Sequence, residues 1–368
     1  MGKKITKKKI LYLYSDTGGG HRASANAIMN AVEQLRGSQI EQEKIDVFCE
    51  CSKFLNVFAR LYGPVINYSP KMWGLLYYWL DDKRKLSQLE KIAGPLILPE
   101  LTRMIKQKKP DVIVSVHPMV NHLTLKALKA SKLDIPFVLV ITDPVTLHRA
   151  WIVPGVDECL VATDQAKQLA IKYGMPAAKI RVLGLPIHPK FALRQPAKKN
   201  KLFTILLMGG GEGIGKMGEI VEALRQSNIK AKLIVIAGRN KKLEKKLKTV
   251  AKSSALPTEI YGFTDKVPEI MAESDIIITK AGPGTIAEAM AMNLPIIITD
   301  WLPGQEEGNV EFVVKENIGR VSREPDKVVE IVKEFMVPAR LAELKQNIKR
   351  VSRPQAALGI AREIFSYL

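Results

Sequence analysis

The chain has 368 residues, 46% of them hydrophobic and 25% charged, with a formal net charge of +19. At roughly 150 residues per domain this length suggests two globular domains. Its three cysteines, Cys49, Cys51 and Cys159, are too few and too irregular for a disulfide framework or a metal site. No stretch approaches the ~18 consecutive apolar residues of a membrane-spanning helix, so the expectation is a soluble protein that meets a membrane from one side.

The charge is unevenly placed. Residues 1–200 carry 31 Lys+Arg against 16 Asp+Glu, and the remainder carries 25 against 21. A positive field concentrated in one half favours an anionic partner surface, either nucleic acid or acidic lipid headgroups.

In chain order, KILYLY (Lys9–Tyr14) reads as a first strand, because its apolar run is short and Ser15-Asp16 follows where a signal peptide needs small residues. Ser15-Asp-Thr-Gly-Gly-Gly-His21 then leads into a helix. Gly18, Gly19 and Gly20 allow a tight turn and close backbone approach to a ligand. His21, at the helix entrance, could accept a proton from a substrate hydroxyl, and a free imidazole pKa of about 6.5 suits that task.

Residues 53–80 hold a block of aromatics, among them Trp73 and Trp79, followed by Asp81-Asp-Lys-Arg-Lys85. Rings beside cations suit a membrane interface, the competing account being a buried helix pair. Further strands are expected at Asp111–Val116, Pro136–Ile141 and Glu158–Val161, with helical stretches between most of them. His117 and His122 lack the spacing of a metal site, and no metal is expected.

After the polar stretch 194–201 the pattern restarts. Strands are expected at Leu202–Met208, Lys232–Ile236, Asp275–Thr279 and Pro295–Thr299. Strands alternating with helices predict parallel, doubly wound α/β sheets, and the restart predicts two of them, with ligands in a cleft at the carboxyl ends of their strands. The expected division is an N-terminal domain over 1–193, a linker over 194–201, a C-terminal domain over 202–350 and a terminal helix within 351–368.

The second half carries two more glycine clusters. Met208-Gly-Gly-Gly-Glu-Gly-Ile-Gly-Lys216 resembles a phosphate loop, but Met217 replaces the Ser or Thr that holds Mg²⁺, which weakens an ATPase reading. The backbone at Gly210 and Gly211 could still follow a phosphate chain. In Thr279-Lys-Ala-Gly-Pro-Gly-Thr-Ile-Ala-Glu288, the spacing of Thr285 and Glu288 allows a capping box, while Gly282 and Gly284 free a helix start to wrap a diphosphate. Gln305 and Glu306, in the polar loop PGQEEGN, could read sugar hydroxyls.

These motifs, with Thr142-Asp-Pro-Val-Thr-Leu-His-Arg-Ala-Trp151 and Gly184-Leu-Pro-Ile-His-Pro189, resemble in order those of monogalactosyldiacylglycerol synthases and processive diacylglycerol glucosyltransferases. The resemblance implies a GT-B fold, a terminal helix that crosses back to the first domain, and an inverting transferase. The donor would be UDP-galactose or UDP-glucose, the acceptor the 3-hydroxyl of diacylglycerol, and no cofactor or metal would be required. It assigns His21 and Asp143 to catalysis, with Asp143 either taking the proton itself or orienting His21. Glu288 falls to the ribose, Gly284 and Thr285 to the diphosphate, the Phe263 backbone to uracil, and Gln305 and Glu306 to the sugar. His148 and Trp151 fall on the acceptor side.

The resulting expectation is a peripheral protein at the cytoplasmic face of an anionic membrane, with no nucleic acid as partner. An N-acetylglucosaminyltransferase acting on a polyprenyl-linked acceptor and a soluble nucleotide-sugar epimerase are the nearest alternatives. A basic nucleic-acid-binding protein is a more distant one.

Overall fold

The computed structural model describes residues 7–15, 19–51, 56, 69–193, 202–211, 213, 215–252 and 255–368. Gly18, the expected linker 194–201 and most of the segment 53–68 lie outside the described residues. The chain divides into two compact units. The first comprises Met1–Pro189, Pro303–Gln305 and Gln355–Leu368; the second comprises Lys190–Leu302 and Glu306–Pro354.

In the first unit the strands β1 (Lys8–Tyr14), β2 (Ile40–Asp46), β3 (Val112–Ser115), β4 (Phe137–Val140), β5 (Glu158–Val161) and β6 (Ile180–Val182) form a parallel sheet in the order β2-β1-β3-β4-β5-β6. β1 pairs with β2 from Lys8↔Ile40 to Tyr14↔Asp46, and with β3 from Ile10↔Val112 to Leu13↔Ser115. The chain therefore reverses its direction of travel across the sheet between β1 and β3. In open parallel sheets that reversal opens a crevice at the carboxyl ends of the strands, where ligands bind.

Helices cover both faces of this sheet: α1 (Gly20–Arg36), α2 (Val47–Cys51), α3 (Pro70–Leu80), α4 (Lys83–Lys108), α5 (Asn121–Ser131) and α6 (Asp164–Lys172). α1 starts at the crevice. Its N-cap, Gly19, has φ +81, a left-handed backbone that side chains disfavour, and open space lies where a side chain would project. Conformation, not crowding, requires glycine there.

The second unit repeats the plan. Strands β7 (Phe203–Met208), β8 (Ala231–Ile236), β9 (Thr258–Tyr261), β10 (Ile276–Lys280), β11 (Ile296–Asp300) and β12 (Gly319–Val321) are parallel in the order β12-β11-β10-β7-β8-β9. Its reversal lies between β7 and β10, so the two glycine clusters that follow those strands flank one crevice. Around this sheet lie α7 (Met217–Gln226), α8 (Lys241–Lys252), α9 (Val267–Glu273), α10 (Pro283–Ala291), α11 (Glu307–Lys315), α12 (Pro325–Met336) and α13 (Pro338–Val351).

The final helix, α14 (Ala356–Phe365), belongs to the first unit. Its Ala357, Ile360, Ala361 and Ile364 share a buried cluster with Ile10, Tyr12, Ala25 and Ile28. This apolar packing braces α1, the helix whose first turn carries His21.

Each strand expected from the apolar runs is present. β2, β6, β9 and β12 had no such signal, and they are the edge strands of the two sheets. β2, with sequence IEQEKID, shows why: an edge strand keeps polar residues where a central strand is apolar on both faces.

Candidate functional site

In the first unit three loops at the carboxyl ends of β1, β3 and β4 gather around one imidazole. His21 Nδ1 lies 2.8 Å from the Val116 carbonyl oxygen and 3.0 Å from Thr142 Oγ1. A carbonyl oxygen can only accept, so Nδ1 carries the proton of the neutral ring and Nε2 keeps the lone pair. No described residue hydrogen-bonds to Nε2.

The edge of the buried His117 ring packs against His21 with 4.5 Å between centroids, and Trp151 lies 6.1 Å away. Desolvation in this apolar setting lowers the His21 pKa to about 4, the Val116 carbonyl pulling weakly the other way. The expected pKa near 6.5 is thus corrected. The ring is neutral throughout the physiological range, always able to accept a proton but a weaker base than free imidazole.

Asp143 does not orient His21; Val116 and Thr142 do. Its Oδ2 instead accepts the Trp151 indole N–H at 2.6 Å. Burial raises the Asp143 pKa to about 6 against that hydrogen bond. Trp151 is 0% exposed, so it acts on the site through Asp143 and offers no surface to an acceptor.

His148 is also turned inward. Its Nδ1 accepts from the Ala150 N–H at 3.1 Å, the ring bonds to the Tyr77 backbone and packs on the Tyr77 ring at 4.9 Å, and Arg149 N–H donates to Asp81 Oδ1 at 2.7 Å. His148 and Asp81 together tie the turn after β4 to α3.

α3 itself has two faces. Trp73, Gly74 and Tyr77 face the segment Pro303–Gln305: Trp73 Nε1 donates to Gln305 Oε1 at 3.3 Å, and Gly74 leaves space that Pro303 fills. Met72, Leu75, Leu76 and Trp79, at i, i+3, i+4 and i+7, form an exposed apolar stripe, with Leu75 73% and Trp79 52% accessible. Lys85 Nζ stands 4.8 Å from the centre of the Trp79 ring. Trp79 thus fits an interfacial residue, Trp73 faces protein, and the competing account of a buried helix pair does not hold for this stripe.

In the second unit the crevice between β7 and β10 is lined by Gly210, Gly211, Gly282 and the first turn of α10. The capping-box expectation fails here. Pro283 takes the first helical position, Gly282 is the N-cap with no side-chain cap, and Thr285 and Glu288 lie inside the helix. The N–H groups of Gly284 and Thr285 therefore have no acceptor within the helix, and open space lies beside Gly284.

The side chain of Glu288 is half-buried, its carboxyl group accepts no hydrogen bond from any described residue, and desolvation raises its pKa to about 8. A carboxyl group kept in that condition is a ready acceptor for ligand hydroxyls. Phe263 is 63% exposed, with the Arg239 guanidinium 4.6 Å from its ring centre and beside Gly211.

Glu306 is 3% exposed and engaged internally: Oε1 accepts from Lys280 Nζ at 2.6 Å and Oε2 from the Leu302 N–H at 3.0 Å. It is not presented to a sugar, and Gln305, in the first unit, accepts from Trp73. Val116, Thr142, Lys280 and Arg239 were not marked by sequence. The positions of Thr142 and Lys280, each inside a motif that carries the family resemblance, could have singled those two out.

Known proteins match both units. The family model described as Monogalactosyldiacylglycerol (MGDG) synthase covers residues 21–187, and that of the Glycosyltransferase family 28 C-terminal domain covers residues 204–358. A probable chloroplastic monogalactosyldiacylglycerol synthase of Glycine max is 37% identical over 97% of this chain and 71% of its own length. Monogalactosyldiacylglycerol synthase 1 of Arabidopsis thaliana is 35% identical over 97% of this chain and 70% of its own.

Among solved structures, MurG of Acinetobacter baumannii superposes with a TM-score of 0.61 at 15% identity, covering 97% of this chain and 99% of that one. A UDP-GlcNAc 2-epimerase of Neisseria meningitidis bound to UDP-GlcNAc gives 0.62 at 14%, covering 97% and 100%. At such identities the likeness concerns fold alone, and that fold is GT-B: two parallel six-stranded α/β units.

Proposed function

The chain belongs to the monogalactosyldiacylglycerol synthase family, and we propose that it transfers a hexosyl group from a UDP-sugar to the 3-hydroxyl of 1,2-diacylglycerol with inversion at the anomeric carbon. The relatives' names support a galactolipid product, and hence UDP-galactose over UDP-glucose as donor. The observation that carries the reading is that the named relatives match 97% of the chain, while the two family models span residues 21–187 and 204–358 and so include His21 and Glu288.

In this reaction His21 Nε2 takes the glycerol hydroxyl proton as the oxygen attacks the anomeric carbon, and the bond to the β-phosphate oxygen breaks to release UDP. The Val116 carbonyl holds the ring in the tautomer that leaves Nε2 available, and the Thr142 hydroxyl beside Nδ1 helps fix the ring's position. Glu288 accepts from the ribose hydroxyls. The N–H groups at the start of α10 meet the charge developing on the leaving diphosphate, as a helix N-terminus favours. We assign to them the role a divalent metal plays in other transferases.

We further propose that the protein works as a peripheral enzyme on an anionic membrane, entered through the apolar stripe of α3 and the adjoining Lys83, Arg84 and Lys85. No described helix is long and apolar enough to cross a membrane.

Incubation with UDP-galactose and diacylglycerol vesicles, followed by NMR of the lipid product, tests the reading. A β-linked galactosyl group at the 3-position is expected. Free galactose, or an epimerised nucleotide sugar, in place of a glycolipid would refute it.

A further inference from the structure

The first turn of α10 offers N–H groups to an anion but no charge, and Lys280 ends beside its N-cap, Gly282. At the end of β10 the register with β11 slips: Thr279 pairs with Ile298, but Lys280 pairs with Asp300. Such a bulge re-aims a side chain, and bulges collect beside functional sites.

The lysine then runs between the two glycine clusters. A side chain at Gly210 would come 3.3 Å from Lys280 Cε, and one at Gly282 would come 3.1 Å from Nζ. Both contacts are tighter than a methyl group accepts without displacing the lysine. The glycines thus clear the path of this side chain, and its ammonium ends beside the N-cap of α10.

Among the described residues Nζ has one partner, Glu306 Oε1 at 2.6 Å, and Glu306 is itself fixed by the Leu302 N–H. An ammonium has three N–H donors, so two remain after the bond to Glu306. The buried Glu306 carboxylate fixes where the ammonium lies.

We propose that Lys280 is a diphosphate-binding residue of the donor site. It donates to the nucleotide's phosphate oxygens while remaining paired with Glu306, and supplies the positive charge that the neutral N–H groups of α10 lack. This rests on the UDP-sugar reading above and deepens it. In the reaction Lys280 would touch the leaving group and gain strength as charge develops there.

Calorimetric titration with uridine and UDP separates the phosphate contribution from the rest of the ligand. Wild-type protein should prefer UDP to uridine. Lys280→Met should lose on the order of 10- to 100-fold in UDP affinity, the range for a hydrogen bond between charged groups, with uridine affinity changed less than about twofold. Lys280→Arg should recover part of the loss.

Because Lys280→Met strands a buried carboxylate, the double variant Lys280→Met/Glu306→Gln, which leaves no unpaired charge, should show the same selective loss. UDP affinity at the wild-type level in the double variant, with wild-type protein still preferring UDP, would overturn the role of Lys280 alone. Wild-type protein that binds no UDP would overturn the donor reading and this proposal with it.

Discussion

The Val116 carbonyl oxygen lies 2.8 Å from His21 Nδ1, and this contact across the β1–β3 crevice decides which atom of the ring can act as a base. Ninety-five residues separate the two in sequence, and the crevice brings them together. With the proton held on Nδ1, a substrate hydroxyl must approach Nε2.

His21 and Asp143 can be told apart by pH. The profile of kcat/KM reports groups of the free enzyme, where desolvation puts His21 at about 4 and Asp143 at about 6. With His21 as base, activity should fall on acidification with a midpoint near 4, and Asp143→Asn should leave that limb in place. A limb near 6 that vanishes in Asp143→Asn would transfer the role to the carboxylate. His21→Ala should lose on the order of 10²- to 10⁴-fold in turnover while UDP binding survives.

The same shifts act on stability with opposite signs. His21 binds its proton less readily when folded than the free value of 6.5, so it opposes folding below about 4 and ceases to do so as pH rises past 6.5. Asp143, raised from 3.8 to about 6, opposes folding increasingly from about pH 4 up to about 6. Denaturation midpoints of His21→Ala relative to wild type should therefore rise most at acid pH, and those of Asp143→Asn at neutral pH. The reverse pattern in urea titrations across this range would contradict the assigned shifts.

Glu288 predicts a proton released on nucleotide binding. Its pKa in the free protein is about 8, and two ribose hydroxyls donating to it would favour the ionised form and lower that value. UDP affinity should then rise with pH through neutrality, with protons released near pH 7. Calorimetry in buffers of differing ionisation enthalpy measures this directly. Glu288→Ala should weaken UDP binding and abolish the release; an unchanged affinity would remove Glu288 from the ribose.

The two tryptophans of α3 should behave differently on membranes. Trp79→Ser and Leu75→Ser alter the exposed stripe and should reduce flotation with anionic vesicles, increasingly as salt screens the neighbouring cations over a Debye length of about 8 Å. Trp73→Ser should change flotation little, because that indole faces Gln305. Equal losses from Trp73→Ser and Trp79→Ser, or equal binding to neutral and anionic vesicles, would count against an interfacial stripe.

A chelator bears on the role assigned to the start of α10. If its N–H groups meet the leaving diphosphate unaided, EDTA should leave turnover unchanged. Loss of activity restored by Mg²⁺ or Mn²⁺ would show that a metal carries that charge.

Much of this was legible in local sequence. The central strands announced themselves as apolar runs, and the glycines before His21 and before Thr285 marked the two helix starts that line the crevices. What stayed hidden depends on distant partners or on competition between signals. The edge strands lack apolar runs because one of their sides is not covered. The Thr285–Glu288 spacing suggested a cap, but Pro283 has no N–H to lose and so takes the first helical position, moving the cap to Gly282. The neighbours of His21 and the Lys280–Glu306 pair join residues that only the sheet order brings together.

The most direct measurement is the fate of sugar label from radioactive UDP-galactose incubated with the protein and diacylglycerol vesicles. Label should enter the lipid fraction with wild-type protein, fall by on the order of 10²-fold or more with His21→Ala, and enter far less from UDP-glucose. Label remaining entirely in the aqueous fraction with the wild-type protein would contradict the account.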